Sequence, residues 1–280
     1  MINYFTIQDE TNIFKNMNYL DPECIPHEFH HRDHELATIA SNIIPIKYGS
    51  MPLHTIILGD NATGKTTAIK KLFQQVRQEI NEAITCYINC RKQHTEYQIY
   101  RELYQTVIGK PAPERGSNSQ RIFTDTMKKL EITRQPLLVA LDDANYLLGT
   151  RERASPHSQN VIRNLTRANE SYNTIIGIYP IITSREFQYQ FEREVNTLFT
   201  PYEVHFKPYT EEQYKDIITQ RCKHAFNTPP NPETIDKIVQ KINKTRNIRQ
   251  AWTILKKYGI NRNLGMTETE AINNAFTKTE

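Results

Sequence analysis

Along the first two thirds of the chain, short apolar runs alternate with stretches whose apolar residues recur every three or four positions. The run at 54–58, "HTIIL", reads as a buried strand. The following segment, 66–82, places Ile69, Leu72, Phe73 and Val76 on one face and reads as a helix. Upstream, Leu36, Ile39, Ala40 and Ile43 give 32–43 the same helical spacing. The alternation continues with a strand at 84–89 and a helix at 97–108. A long polar loop, "GKPAPERGSNSQ", leads to a helix at 121–130, and "LLVAL" at 137–141 is a further strand. A helix at 160–169 and a strand at 174–182 complete the series. Strands that alternate with helices predict a parallel sheet with helices on both faces, and continuous apolar strands fit burial on both sides.

After "VHFKPYT" the pattern changes. Residues 211–225 read as a helix opened by Thr210 and an acidic first turn. "NTPPNP" is a break, and 233–245, 248–258 and 267–275 read as further helices. No strand signal follows Phe206. The expectation is an α/β domain over 1–207, with an irregular lead-in at 1–26, and an all-helical domain over 208–280.

Composition adds bounds. Hydrophobic residues are 38% and charged residues 24% of the 280 positions, ordinary for a soluble globular chain. The apolar runs are too short to span a bilayer, and the N-terminus lacks the basic-then-apolar order of a signal peptide, so no membrane partner is expected. Of four cysteines, only Cys86 and Cys90 in "CYINC" are close. Without a second pair they read as small buried apolar residues on one strand face rather than a zinc site, in a reducing compartment. Net charge is +4. It is unevenly placed: from Lys237 to Arg262 there are eight Lys or Arg and no Asp or Glu. That stretch is either a solvated helical face or a surface for phosphates.

"GDNATGKTT" lies between a predicted strand and a predicted helix. It matches the phosphate-binding loop in full, which makes Gly59, Asp60, Asn61, Ala62, Thr63, Gly64, Lys65, Thr66 and Thr67 candidate nucleotide contacts. The glycines let backbone N–H groups turn inward, Lys65 brings a charge to the outer phosphates, and the Thr66 hydroxyl suits Mg²⁺. "LLVALDDAN" delivers Asp142 at a strand end as a second Mg²⁺ ligand, usually through water. Asp143 stands where many ATPases place a glutamate that orients or deprotonates the attacking water, with one methylene less reach, so either a water bridges the gap or hydrolysis is slow. Thr183 ends the strand "TIIGIYPIIT" and is either a γ-phosphate contact or an ordinary strand-end hydroxyl. Arg249, in "TRNIRQAW", is a surface cation or a residue that reaches the γ-phosphate from the second domain.

Together these segments resemble the AAA+ ATPases of the archaeal and eukaryotic replication-initiator family, the origin recognition complex and Cdc-six proteins. "NIFKNMNYLDPECIPHEFHHRDHEL" is similar to the family's lead-in, with an Arg-x-x-Glu helix start. "YINCRKQHTEYQIYRELYQTVIG" is similar to the strand and helix after its phosphate loop, and "VHFKPYTEEQYKDIITQRCKHAF" to its entry into a helical lid. "RNIRQAWTILKKYG" resembles the Gly-Asp-x-Arg-x-Ala segment that carries the sensor-2 arginine. The resemblance implies an AAA+ P-loop NTPase fold with a C-terminal helical lid, ATP or ADP with Mg²⁺ as cofactors, and a sensor-2 role for Arg249. Thr183 falls where the family usually has its sensor-1 asparagine. Arg246-Asn247 replaces the family's Gly-Asp, and Glu194 stands in place of the family's arginine, with Arg193 adjacent.

The family usually continues into a winged-helix domain; the expectation here is a short form without one. DNA contact would then fall to the insertion after the second strand. There, nine Lys or Arg stand against five acids between Arg91 and Arg134. Lys110, Arg115 and Arg121, with donors at Gly116, Ser117 and Ser119, could grip phosphates; a solvated loop is the alternative. The leading reading is an ATP-switched initiator bound to double-stranded DNA and to other replication or AAA+ subunits. It is expected to form nucleotide-dependent oligomers and to be cytoplasmic and nucleoid-associated, or nuclear in a eukaryote. The other reading is an AAA+ regulator of protein partners, as in transposition or plasmid maintenance.

Overall fold

The computed structural model describes residues 12–113, 118–148, 159–183 and 193–277. By internal contacts the chain divides into an α/β unit, Arg32–Lys207, and a helical unit formed by residues 12–31 and 208–277.

In chain order the α/β unit holds α1 (Asp33–Ile43), β1 (Thr55–Gly59), α2 (Lys65–Glu79), β2 (Ile84–Asn89), α3 (Glu96–Ile108) and α4 (Ser119–Thr133). Then come β3 (Leu137–Asp142), the short α5 (Asn145–Leu148), α6 (Asn160–Tyr172), β4 (Ile176–Thr183), α7 (Arg193–Leu198) and β5 (Tyr202–Phe206). The five strands form one parallel sheet in the order β2-β3-β4-β1-β5. Every residue of β3 is buried, as expected of a strand covered on both sides. Leu137, Val139 and Leu141 join Ile99, Leu103, Phe123, Met127 and Leu165 of α3, α4 and α6 in one core. On the opposite face, Phe73 of α2 meets Tyr179 of β4 edge-on at 6.1 Å between ring centroids. Each such buried large apolar side chain stabilises by roughly 1.5–3 kcal/mol.

Two features of the sheet differ from the apolar pattern. β5 is absent from that pattern because only Val204 and Phe206 of its five residues are buried; it is a half-solvated edge strand. β4 is interior yet contains Pro180, which has no N–H. Its register shows why this is tolerated: pairing with β3 runs to Pro180, and pairing with β1 begins at Ile181.

The helical unit contains α8 (Glu211–Ala225), α9 (Pro232–Thr245), α10 (Ile248–Asn263) and α11 (Glu268–Phe276). Thr210 caps α8 and Thr267 caps α11, each in a reciprocal capping box. Residues 12–31, expected to begin the α/β domain, instead belong here. The Lys15 N–H donates to the Ala225 carbonyl at 2.9 Å, Phe14 stacks on Phe226 at 5.2 Å, and Leu20 is fully buried. Asp21 pairs with Lys256, and Arg221 donates to the carbonyls of Asp21 and Cys24. Backbone and aromatic contacts hold this segment, so its polar sequence gave no periodic signal. Among the described residues, no helix is long and apolar enough to cross a membrane.

Candidate nucleotide site

β1 ends at Gly59 and α2 begins at Lys65, so the predicted loop connects a strand to a helix as its motif requires. Gly59 has φ +153, and a Cβ there would lie 2.5 Å from the Phe206 carbonyl oxygen. No other residue fits. Ala62 and Gly64 also have positive φ, at +60 and +93. The Thr63 hydroxyl donates to the Asp60 carbonyl at 2.9 Å and closes the turn. Gly64 is the N-cap of α2 and supplies no side-chain cap hydrogen bond, and the first turn of such a helix presents N–H groups suited to an anion. Lys65 Nζ donates to the carbonyls of Gly59 and Asp60 at 2.8 and 2.6 Å, which folds its ammonium over the loop.

Parallel register brings the other candidates to the same edge of the sheet. Thr183 lies opposite Gly59 across β4 and β1, and Asp142 lies opposite Asn89 across β3 and β2. The Thr66 hydroxyl donates to Asp142 Oδ2 at 2.8 Å. Asp142 is 5% exposed. Its Oδ1 accepts the Asp143 N–H at 3.0 Å. Asp143 has φ +53, a left-handed conformation that aspartate tolerates better than most residues, and it turns the chain from β3 into α5. A hydroxyl and a carboxylate converging beside a phosphate loop are hard oxygen donors, and they fit Mg²⁺.

Tyr87 belongs to this constellation and was missing from the sequence expectations. Its hydroxyl donates to Asp142 Oδ2 at 2.5 Å, and Lys70 Nζ sits 4.6 Å from its ring centroid. The available signal was strand alternation. Cys86, Ile88 and Cys90 take one side of "CYINC", which turns Tyr87 to the other side, beside the strand that ends in Asp142. Cys86 and Cys90 are buried, free thiols. Burial raises the Cys86 pKa to about 12, and burial together with the Asp142 and Asp143 charges raises that of Cys90. Both stay protonated, and no cluster of three or more metal-ligating groups exists among the described residues.

The remaining expectations divide. Arg249 lies in the first turn of α10, exposed, with its N–H capped by Asn247 Oδ1 at 3.1 Å. Lys110 is exposed just past α3. Ser119, expected in a loop, is the first residue of α4, because Asn118 caps that helix by accepting the Arg121 N–H at 2.9 Å. The Arg121 side chain is 68% exposed and lies 4.0 Å from Asp125. Arg115, Gly116 and Ser117 lie outside the described residues, as do the side chains of Arg193 and Glu194.

Comparisons with known proteins agree with this architecture. A family profile described as an AAA domain matches residues 50–178. The "ORC1-type DNA replication protein 2" of Methanothermobacter thermautotrophicus is 32% identical over 90% of this chain and 66% of its own length. The protein of the same name from Methanosarcina mazei is 30% identical over 92% of this chain and 68% of its own. The chain thus spans about two thirds of the length of these relatives. Among solved structures, the Aeropyrum pernix ORC1 protein in complex with DNA superposes with a TM-score of 0.81 at 23% identity, covering 94% of this chain and 69% of that one. The Aeropyrum pernix ORC2 protein, in ADPNP–ADP complexes, gives 0.79 at 20% identity, covering 95% and 72%.

Proposed function

The chain belongs to the family of ORC1-type DNA replication proteins, and from that premise we propose that it is a nucleotide-switched DNA-binding initiator. The observation that carries the reading is the meeting of Thr66 and Asp142 beside an intact phosphate loop. Loop N–H groups and Lys65 would hold the phosphates of ATP or ADP, and Thr66 and Asp142 would hold Mg²⁺. When bound, Mg²⁺ neutralises phosphate charge and orients the outer phosphates. Asp143 would orient the attacking water, and its short reach favours slow turnover, so the bound nucleotide serves better as a signal than as a rapidly consumed substrate. Thr183, which pairs with Gly59 in the sheet register, would contact the outer phosphate. Arg249 would supply a cation from the helical unit, which would link the units to nucleotide state.

DNA is the proposed partner. The names of the relatives and the DNA complex of the Aeropyrum pernix ORC1 protein support it. Lys110 and Arg121, exposed on either side of residues 114–117, are candidate phosphate contacts. Assembly with further replication subunits and a nucleoid location go with the same proposal.

The test is duplex DNA binding across a salt series, with ATP, with ADP and without nucleotide. Binding that weakens with log salt and differs between nucleotides is expected, and Lys65→Ala should erase the nucleotide dependence. Absence of duplex affinity at low salt with ATP present would overturn the DNA reading.

A further inference from the structure

Arg32 is the first residue of the α/β unit and is only 3% exposed. Each nitrogen of its guanidinium donates a hydrogen bond within that unit. Nε donates to the Thr63 carbonyl at 3.0 Å, Nη2 to the Lys207 carbonyl at 2.6 Å, and Nη1 to Glu35 Oε1 at 3.0 Å. The group also lies 5.4 Å from the Phe206 ring centroid. A buried guanidinium is costly to desolvate unless its planar fork is filled, and here three separate segments fill it.

Two of those segments matter for the nucleotide site. Thr63 precedes Gly64, so the carbonyl that Arg32 holds shares a planar peptide with the Gly64 N–H. In a trans peptide these two groups point in opposite directions. Fixing the carbonyl from one side therefore fixes where the N–H aims on the other. Lys207 is the last residue of the α/β unit. One side chain thus touches the phosphate loop and the end of the unit, from a position at the unit's beginning.

The chain passes between the units at His31–Arg32 and at Lys207–Pro208. His31 has φ +64, and its Nε2 meets Asp216 Oδ2 of α8 at 2.7 Å. On the other passage, Pro208 has a ring-fixed φ, Tyr209 packs edge-on with Tyr214 at 5.7 Å, and Thr210 caps α8. Each passage is anchored within a few residues on both sides, and Arg32 lies at one and holds the other.

We infer that Arg32 is a positioning residue that couples the conformation of the phosphate loop to both passages of chain between the units. The inference rests on the loop binding nucleotide. Phosphate contact at Gly64 would turn the 63–64 peptide. That motion reaches Arg32 through the Thr63 carbonyl and Lys207 through Nη2, without any contact to the nucleotide by Arg32 itself.

The test is hydrogen exchange of the full chain with and without ADP, read at the loop (60–67) and at the passages (29–34 and 205–210). In the wild type, ADP should slow exchange at the loop and change it at both passages by about threefold or more. Arg32→Lys keeps the charge but loses the fork. It should retain loop protection while the change at the passages falls away. If that variant fails to fold, Glu35→Ala, which removes the acceptor of one arm of the guanidinium, carries the same expectation in weaker form. A merely structural Arg32 would lower the melting temperature and leave the ADP-dependent change at the passages intact, and that result overturns the inference. So does a wild type whose loop is protected by ADP while the passages are unmoved. A wild type with no loop protection removes the nucleotide reading itself.

Discussion

Thr66 Oγ1 and Asp142 Oδ2 lie 2.8 Å apart, although 76 positions separate them in the chain. The pair exists because α2 begins immediately after the phosphate loop while β3 ends at the same edge of the sheet. Tyr87 shares the same carboxylate oxygen. A third donor restrains Asp142 and withdraws charge from it, in the way groups behind a metal ligand usually act.

Tyr87→Phe removes that hydrogen bond and keeps the ring beside Lys70. The expected outcome is a drop of about tenfold in the gain that Mg²⁺ gives to ADP affinity, with affinity in EDTA nearly unchanged. Titrations of labelled ADP in both conditions read the ratio. An unaltered ratio would show that Asp142 needs no help from Tyr87.

Asp143→Asn separates charge from backbone. Asparagine tolerates the left-handed φ of +53 as aspartate does, so the turn should persist. If the carboxylate activates water, ATP turnover falls on the order of 100-fold while ATP affinity stays within about threefold. Single-turnover phosphate release measures the first and equilibrium binding the second. Equal turnover in the two proteins would remove Asp143 from the chemistry.

The sequence disclosed those parts of the fold that repeat a physical period. Strands buried on both faces, such as β3, and one-sided helices, such as α2, were legible. So were the loop and Asp142, because a phosphate site needs particular residues in a fixed local order. The edge strand β5 and residues 12–31 were not, since their stability comes from partners distant in the chain rather than from spacing. Tyr87 and the distant contacts of Arg32, of which only the Arg-x-x-Glu spacing to Glu35 showed, were hidden for the same reason: the Asp142 carboxylate and the Lys207 carbonyl are 55 and 175 positions away. Ser119 was misplaced because the Asn118 cap started α4 earlier than its apolar pattern did.

Arg246→Gly should stabilise the helical unit. Arg246 is exposed and ends α9 with φ +51, a conformation that costs a side chain about 1–2 kcal/mol. Glycine removes that strain but loses about 0.5–1 kcal/mol through its freer unfolded chain. Relief of the strain outweighs this loss, so a net gain of about 0.5–1 kcal/mol and a melting point about 2 °C higher are expected. A lower melting point would show that the Arg246 side chain makes a compensating contact.

His54 predicts the acid limit of the α/β unit. It precedes β1, its Nδ1 accepts the Ile178 N–H at 3.2 Å, and its ring stacks on Phe199 at 5.2 Å. Burial lowers its pKa from 6.5 to about 4. The folded protein therefore keeps the ring neutral where the unfolded chain would protonate it. The resulting stability is fully present above pH 6.5 and is lost as pH falls through the window from 6.5 to 4. By linkage, the stability lost across that window is about 2–3 kcal/mol. His54→Gln keeps an acceptor but cannot titrate. Between about pH 7.5 and 4.5 the wild type should lose about 2–3 kcal/mol more than the variant, read by urea unfolding at each pH. Parallel stability curves for the two proteins would mean that His54 does not carry the acid sensitivity.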